Sequence, residues 1–385
     1  MNENKKYYPF YFILFFAWSS VYTLIAIYLS EEAGFKLAEI GTLMSFLPII
    51  TLVFQPIWGA LSDSTGRKKG LLIGIISVNV VLALMMTFFT SKMAIILIYC
   101  LYTVFLCAQS PMTDAMSIAY VNRTQQGSYG SIRAWGSVGY AIGSVIVAQI
   151  VFYAGLKSIF YVAALCFLVS LFLLSHIREY KLKVNRVNYL KDLGDLLKRK
   201  EYVFILVYSF LFSGSFFGGE QYLGLYFRWH GIPVSKIGIL TFIAVCIEVP
   251  FIFYSKRLIR SFGIVPLMLI MNCVSILRMG ILSFGNIWGI FVVSSILRGV
   301  IVGIFIPLFI EVVSSITPKA LSTSAISIYS AVSSGIATFS FTLLGGFLAD
   351  RLGYPFLYGT YGFVAIMPLL LIIVFRGMLS RAIEE

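Results

Sequence analysis

Seven ionisable side chains stand inside long apolar runs: Asp114, Arg133, Glu220, Glu248, Arg278, Arg298 and Glu311. At the centre of a hydrocarbon layer a charge costs at least about 2.5–3.5 kcal/mol on insertion scales, so each of these groups must face a partner or water. Four carboxylates against three guanidiniums leave one acid in surplus, and that surplus is a candidate proton carrier. The spacing adds a second chemistry. Thr103, Cys107, Ser110, Asp114 and Ser117 recur at intervals of four and three, which places them on one helical face around a carboxylate. Arg133, Ser137, Tyr140 and Ser144 repeat the pattern around a guanidinium, while Gly136, Gly139 and Gly143 offer a separate face for close helix packing. Asp114 and Arg133 fall at matching depth. They are natural partners, and a structural ion pair is one reading of them. Glu248, Arg278 and Arg298 share the middle of their runs, an arrangement suited to a carboxylate that exchanges a proton as an arginine approaches or leaves. A further stripe, Tyr11, Phe15, Trp18 and Tyr22, reads first as packing or lipid contact, with cavity lining the second reading.

The elements that position these groups follow from composition. Of 385 residues, 59% are hydrophobic and 12% charged, against about 45–50% and 25% in soluble domains. A spanning helix needs about 20 apolar residues, and twelve segments qualify: Tyr8 to Leu29, Glu39 to Leu61, Leu71 to Thr90, Ala94 to Val121, Ser131 to Tyr153, Ile159 to Ser175, Tyr202 to Phe227, Ile237 to Lys256, Ile264 to Ser283, Ile287 to Ile316, Ser322 to Ala349 and Pro355 to Phe375. The expected fold is an all-α membrane protein of two six-helix bundles. Residues 1–177 form the first and 202–385 the second, joined by an amphipathic linker at 178–201 whose apolar side is Tyr189, Leu190, Leu193 and Leu196. The halves echo each other weakly. GALSDSTGRKKGLLIG after the second helix corresponds to SKRLIRSFGIVPLMLI after the eighth, and AGLKSIFYV to RLGYPFLYG.

The formal charge of +13 suggests nucleic acid only until its distribution is counted. One face of the twelve-span topology carries 20 of the 29 Lys and Arg residues and the other carries 6, with three inside helices. The positive-inside rule then puts both termini in the cytoplasm of a multi-pass inner-membrane protein, with lipid and not nucleic acid around it. The five cysteines sit in apolar runs without metal-ligand spacing and are expected to pack. Neither His176 nor His230, both at helix ends, invites a catalytic role. No phosphate-binding Gly-rich loop, nucleophile motif or metal constellation is visible, so neither an enzyme nor a cofactor is expected.

Gly59, Asp63, Gly66, Arg67 and Lys68 fit the G-x-x-x-D-x-x-G-R-[KR] signature, and the chain is identified by it as resembling the major facilitator superfamily. The glycines permit a tight turn, and a carboxylate beside basic groups makes a breakable latch between bundles. YGSIRAWGSVGYAIGS and PMTDAM narrow the resemblance to the proton symporters that include lactose permease, phenylpropionate permeases and bacterial nucleoside permeases. What this resemblance implies is uptake by alternating access, with Asp114, Arg133 and Tyr140 on the substrate, joined by Glu220, and with Glu248, Arg278 and Arg298 coupling the proton. The expected substrate is a small polar solute, a sugar or nucleoside; an aromatic carboxylate is the alternative, and a non-transporting sensor or lipid-handling protein the alternative of another class. The expected coupling ion is the proton, with sodium as its alternative, beside the solute and lipid as partners, and the chain is expected to act as a monomer. One departure stands out. Lactose permease carries a histidine and then a glutamate on its tenth helix, where this chain has Arg298 and Ile301, so its proton wiring must differ.

Overall fold

The structure is a computed structural model that describes residues 4–65, 67–125, 127–180, 194, 196–285, 287–318 and 321–384. Among the described residues the regular structure is helical throughout. Twelve helices are long and apolar enough to cross a membrane: α1 Lys5–Glu32, α2 Leu37–Ser62, α3 Lys68–Phe88, α4 Lys92–Thr124, α5 Tyr129–Ala154, α6 Ser158–Ser175, α7 Lys200–Glu220, α8 Val234–Phe262, α9 Ile264–Phe284, α10 Trp288–Ile316, α11 Ser324–Leu352 and α12 Tyr354–Leu379. Of the linker's apolar side, Tyr189, Leu190 and Leu193 lie outside the described residues; Leu196 is buried.

Helix pairing repeats with a period of six. In the first half α1 packs on α5 and α6, and α3 on α4 and α6; in the second, α7 packs on α11 and α12, and α9 on α10 and α12. The faint sequence echoes have a backbone counterpart. Gly155 ends α5 at φ 85°, ψ 167°, and Gly353 ends α11 at φ 81°, ψ 168°, a region that essentially only glycine occupies. Each N–H closes its helix on a carbonyl four residues back, at 2.9 Å and 3.1 Å. The turn after α8 uses Gly263 in the same conformation.

The chain forms two compact units. One holds α1, α2 from Ile49, α3 to α6 and the segment Phe227–Phe242; the other holds Lys36–Pro48, α7 and the chain from Ile243 onward. The early part of α2 belongs to the second unit because Gly41 lies directly against Gly346 and the Tyr222 hydroxyl. The early part of α8 belongs to the first, where Gly238 lies on the Ser144 backbone and the Ser144 hydroxyl donates to the Gly238 carbonyl at 3.2 Å. In that unit Arg228 also forks onto Glu31, with Nε and Nη2 donating to the two carboxylate oxygens at 2.6 Å and 3.0 Å. This bond raises the Arg228 pKa above its already high ordinary value.

The helices are not uniform rods. The span expected to run unbroken to Phe227 stops at Glu220 and resumes as a short helix, Leu223–Trp229. A turn bond and tertiary bonds take over where the ladder lapses: the Gly219 carbonyl accepts from the Tyr222 N–H at 3.2 Å and from the Tyr358 hydroxyl at 3.2 Å. The Tyr222 hydroxyl donates to the Thr342 carbonyl. Such breaks are tolerated in a membrane only where the freed groups find partners in the protein. The corresponding helix of the first half, α1, breaks after Tyr22 and ends in a π-helical turn, Tyr28–Glu32. A second π-helical stretch, Ala331–Ala337, interrupts α11.

Cys246 and Cys273 are exposed and do not pack in the interior as expected; Cys100, Cys107 and Cys166 are half-buried, and all five are free thiols. The glycine face of α5 is realised in full. A Cβ on Gly136 would meet the Phe15 ring, one on Gly139 the Phe12 backbone, and one on Gly143 the Ser19 hydroxyl and the Phe16 backbone. Gly139→Ala is therefore expected to push α1 off α5 and to cost about 1–3 kcal/mol by overpacking. Gly74→Ala, where nothing lies within 4 Å, is expected to leave stability unchanged or slightly raised. Thermal unfolding of both variants in detergent checks the contrast; equal melting temperatures would remove the α1–α5 contact from the account.

Candidate functional site

Two clusters gather five of the seven buried-run charges, one cluster in each unit. In the first, α4 presents Asp114 and α5 presents Arg133, as their matched depth predicts. The guanidinium Nε stands 4.0 Å from the Asp114 carboxylate, and the two side chains keep 34% and 23% of their exposure. The bonds that hold the carboxylate come instead from neutral groups: the Tyr11 hydroxyl donates at 2.9 Å and the Ser110 hydroxyl at 3.2 Å. Tyr11 and Ser117 also share a hydrogen bond at 2.8 Å. Arg133 lies over the Phe15 ring at 4.3 Å, a cation–π contact. Tyr129, opening α5, interacts with both Asp114 and Arg133. The result is a carboxylate and a guanidinium side by side, both part-open, neither consumed by the other.

Helical spacing explains why these residues meet. Ser110, Asp114 and Ser117 share one face of α4, and Tyr11 and Phe15 are one turn apart on α1. Tyr11 is fully buried and Phe15 nearly so, so half of the aromatic stripe does pack, yet Tyr11 also binds the acid. Tyr140 is half-buried on α5; the ring under Arg133 is Phe15.

The second cluster is tighter. Glu220, the last residue of α7, pairs with both arginines: Arg278 Nη2 of α9 stands 2.6 Å from one carboxylate oxygen as an ion pair, and Arg298 Nε of α10 donates to the other. Arg278 is wholly buried. Its Nε donates to the Ser294 carbonyl at 3.0 Å, and its guanidinium stacks on Phe216 at 5.2 Å. The sequence grouped Arg278 and Arg298 with Glu248 as proton-coupling residues and set Glu220 aside for substrate. In the structure both arginines engage Glu220. Glu248 is nonetheless close by, since its backbone packs against Gly299, the neighbour of Arg298, and against Gly303. Glu311 is exposed, which leaves Asp114, Glu220 and Glu248 against three arginines and removes the numerical surplus of acid.

Of the signature at the α2–α3 turn, Gly66 and the Asp63 side chain lie outside the described residues. Gly59 sits in α2 with open space around it, Arg67 is exposed before α3, and Lys68 begins α3. The neighbouring Lys69, not singled out in the sequence, closes the end of α6. Its Nζ donates to the Ser175 and Ile177 carbonyls at 2.7 Å and 2.8 Å, and its N–H to Glu179 at 3.1 Å. A cation there complements the negative end of the helix dipole.

Sequence reading also passed over Asn79 and Gln109, two fully buried amides in the first unit. Their signal was available, because an amide inside an apolar run needs partners as a charge does.

The chain matches the MFS_1 like family over residues 5–359. It is 29% identical over 384 residues to the maltose permease of Geobacillus stearothermophilus, covering 99% of this chain and 97% of that protein. It is 28% identical over 358 residues, 93% and 89% of the two chains, to the uncharacterized transporter YwbF of Bacillus subtilis. Its fold resembles the crystal structure of the nucleoside transporter NupG, with a TM-score of 0.85 over 98% of this chain and 99% of that one, at 18% identity. The family match spans nearly all of the chain, both charge clusters included: the protein belongs to the MFS_1 like family and is a multi-pass membrane transporter.

Proposed function

We propose that this protein takes up a sugar by proton symport, by alternating access, as a monomer in the cell (inner) membrane with both termini cytoplasmic. The observation that carries the reading is the first cluster. A part-open carboxylate and guanidinium, 4.0 Å apart and steadied by neutral hydroxyls, can accept from and donate to adjacent hydroxyls of a neutral polyol without either ion losing its counter-charge. Full-length similarity to a protein named as a maltose permease supports a sugar over the nucleoside and aromatic-acid alternatives. The excess of Lys and Arg on one face supports the orientation.

The second cluster supplies the coupling in this reading. Arg298 is bonded to Glu220 and borders Glu248 through Gly299. Exchange of the guanidinium between two carboxylates lets the one it leaves take a proton and the one it joins release it. Substrate binding biases that exchange to the extent that it favours one conformation.

The function is tested with purified protein in vesicles, adding sugars, nucleosides and a phenylpropionate-like acid singly. External alkalinisation on addition of a sugar is expected; alkalinisation with a nucleoside or the acid alone would overturn the sugar assignment, and sugar uptake without proton movement would overturn the coupling. Glu248→Gln keeps shape but cannot release a proton, so it is expected to abolish uphill accumulation while preserving exchange of sugar across the membrane. Normal accumulation in that variant would place the coupling carboxylate elsewhere. Glu220→Gln leaves Arg278 buried without its carboxylate and is expected to lower stability by about 3–5 kcal/mol, seen as a fall in melting temperature beyond that of Glu248→Gln.

A further inference from the structure

The end of α8 carries a charge that neither cluster uses. Lys256, Arg257 and Arg260 are exposed there, and among the described residues none of the three has an ion pair or a side-chain hydrogen bond. The corresponding turn of the first half is arranged differently, because the Nζ of its Lys69 is tied to the carbonyls at the end of α6. Membrane topology by itself puts basic residues at such an end, and Arg260, in the last turn, also complements the helix dipole. Arg257 stands about one turn further in, and its surroundings are more specific than topology requires.

Tyr254, Arg257 and Ser261 recur at intervals of three and four, which sets them on one face of α8. Pro250, Phe251, Leu258 and Phe262 lie beside that stripe, and together these residues line a groove of about 380 Å³ that belongs wholly to the second unit. Neither the Tyr254 nor the Ser261 hydroxyl has a hydrogen bond among the described residues. The groove therefore offers a guanidinium and two hydroxyls as donors above an apolar floor. From Pro250 to Phe262 it runs about 18 Å along the helix, against about 15 Å for the hydrocarbon of one leaflet.

We propose that this groove binds one anionic phospholipid, with the phosphate on Arg257, Tyr254 and Ser261 and an acyl chain along Phe251, Leu258 and Phe262. The guanidinium fork matches phosphate oxygens in pairs, and the arginine stem can extend along the apolar floor to bring its head to headgroup level. Lys256 and Arg260 flank the phosphate and add attraction for negative charge. A small anion would satisfy Arg257 but leave the floor uncovered, and a neutral lipid would cover the floor but leave three cations unpaired. Only a negatively charged amphiphile answers both, and the surrounding membrane supplies it at high local concentration. The inference is independent of the solute and of the coupling ion.

The test uses the full chain purified in an uncharged detergent, with native mass spectrometry reading the lipid retained as phosphatidylglycerol or phosphatidylcholine is added, with and without inorganic phosphate. Wild type is expected to hold phosphatidylglycerol in preference to phosphatidylcholine, and inorganic phosphate is expected not to displace it. Arg257→Gln is expected to weaken phosphatidylglycerol binding about tenfold through loss of a charge-assisted contact. Leu258→Trp, which fills the floor without touching any charge, is expected to weaken it as well. Arg376→Gln removes an exposed cation that the topology assigns to the same side, and is expected to change nothing. Equal weakening in Arg376→Gln would reduce the effect to diffuse surface charge, equal retention of phosphatidylcholine would reduce the groove to apolar contact, and displacement by phosphate would make it a small-anion site; each overturns the proposal. Unchanged phosphatidylglycerol binding in Arg257→Gln does the same. Should that variant fail to fold, Leu258→Trp decides the matter, and unchanged binding there overturns the lipid site. Because the readout involves neither sugar nor proton movement, its failure leaves the transport reading untouched.

Discussion

Hydrocarbon cannot hydrogen-bond, and this constraint organises the interior of the protein. Every ion, amide and broken backbone turn inside the spans has to find its partner within the protein. Glu220 shows the consequence most clearly: it ends α7, its carboxylate joins α9 and α10 through two arginines, and the carbonyl just before it is held by Tyr358 of α12. A helix break, an ion cluster and a four-helix junction are thus one feature. The buried Arg278 depends on that junction for its counter-charge.

The two halves use the same helix pairing to different electrostatic ends. In the first unit the acid and the guanidinium stand 4.0 Å apart, and Tyr11 and Ser110 complete the carboxylate's bonding. Neutral donors can be exchanged for ligand hydroxyls at little cost. In the second unit the carboxylate is shared by two direct ion pairs, one of them to a wholly buried arginine, so any rearrangement moves a charge. Loose and polar on one side, tight and ionic on the other, this asymmetry suits a division between binding a neutral solute and carrying a coupled charge.

Glycine supplies the close approach that the charges need. Gly136, Gly139 and Gly143 bring α5 onto the α1 backbone, and that approach carries Arg133 to Phe15 and Tyr11. Gly299 and Gly303 do the same for α10 on α8, where they lie against the Ala244 and Glu248 backbone. Where the side chain is a single hydrogen atom, helix axes come close enough for charged residues on adjacent faces to meet.

Much of this was determined by the sequence alone. Twelve apolar segments, the six-helix repeat, the α5 glycine face and the pairing of Asp114 with Arg133 follow from hydropathy and a helical repeat of 3.6, which are local properties. The family followed from the spacing of the signature at the α2–α3 turn. Tertiary structure alone decided which carboxylate the arginines of α9 and α10 would choose, because residues at similar depth on different helices are indistinguishable until helix rotation is known; it chose Glu220 where the sequence favoured Glu248. It likewise exposed Glu311, broke α7 beside Glu220, and turned Tyr11, legible first as packing or lipid contact, into a hydrogen-bond partner of Asp114. Each of these depends on what lies across the interface, and a chain read one residue at a time carries no record of its neighbours in space.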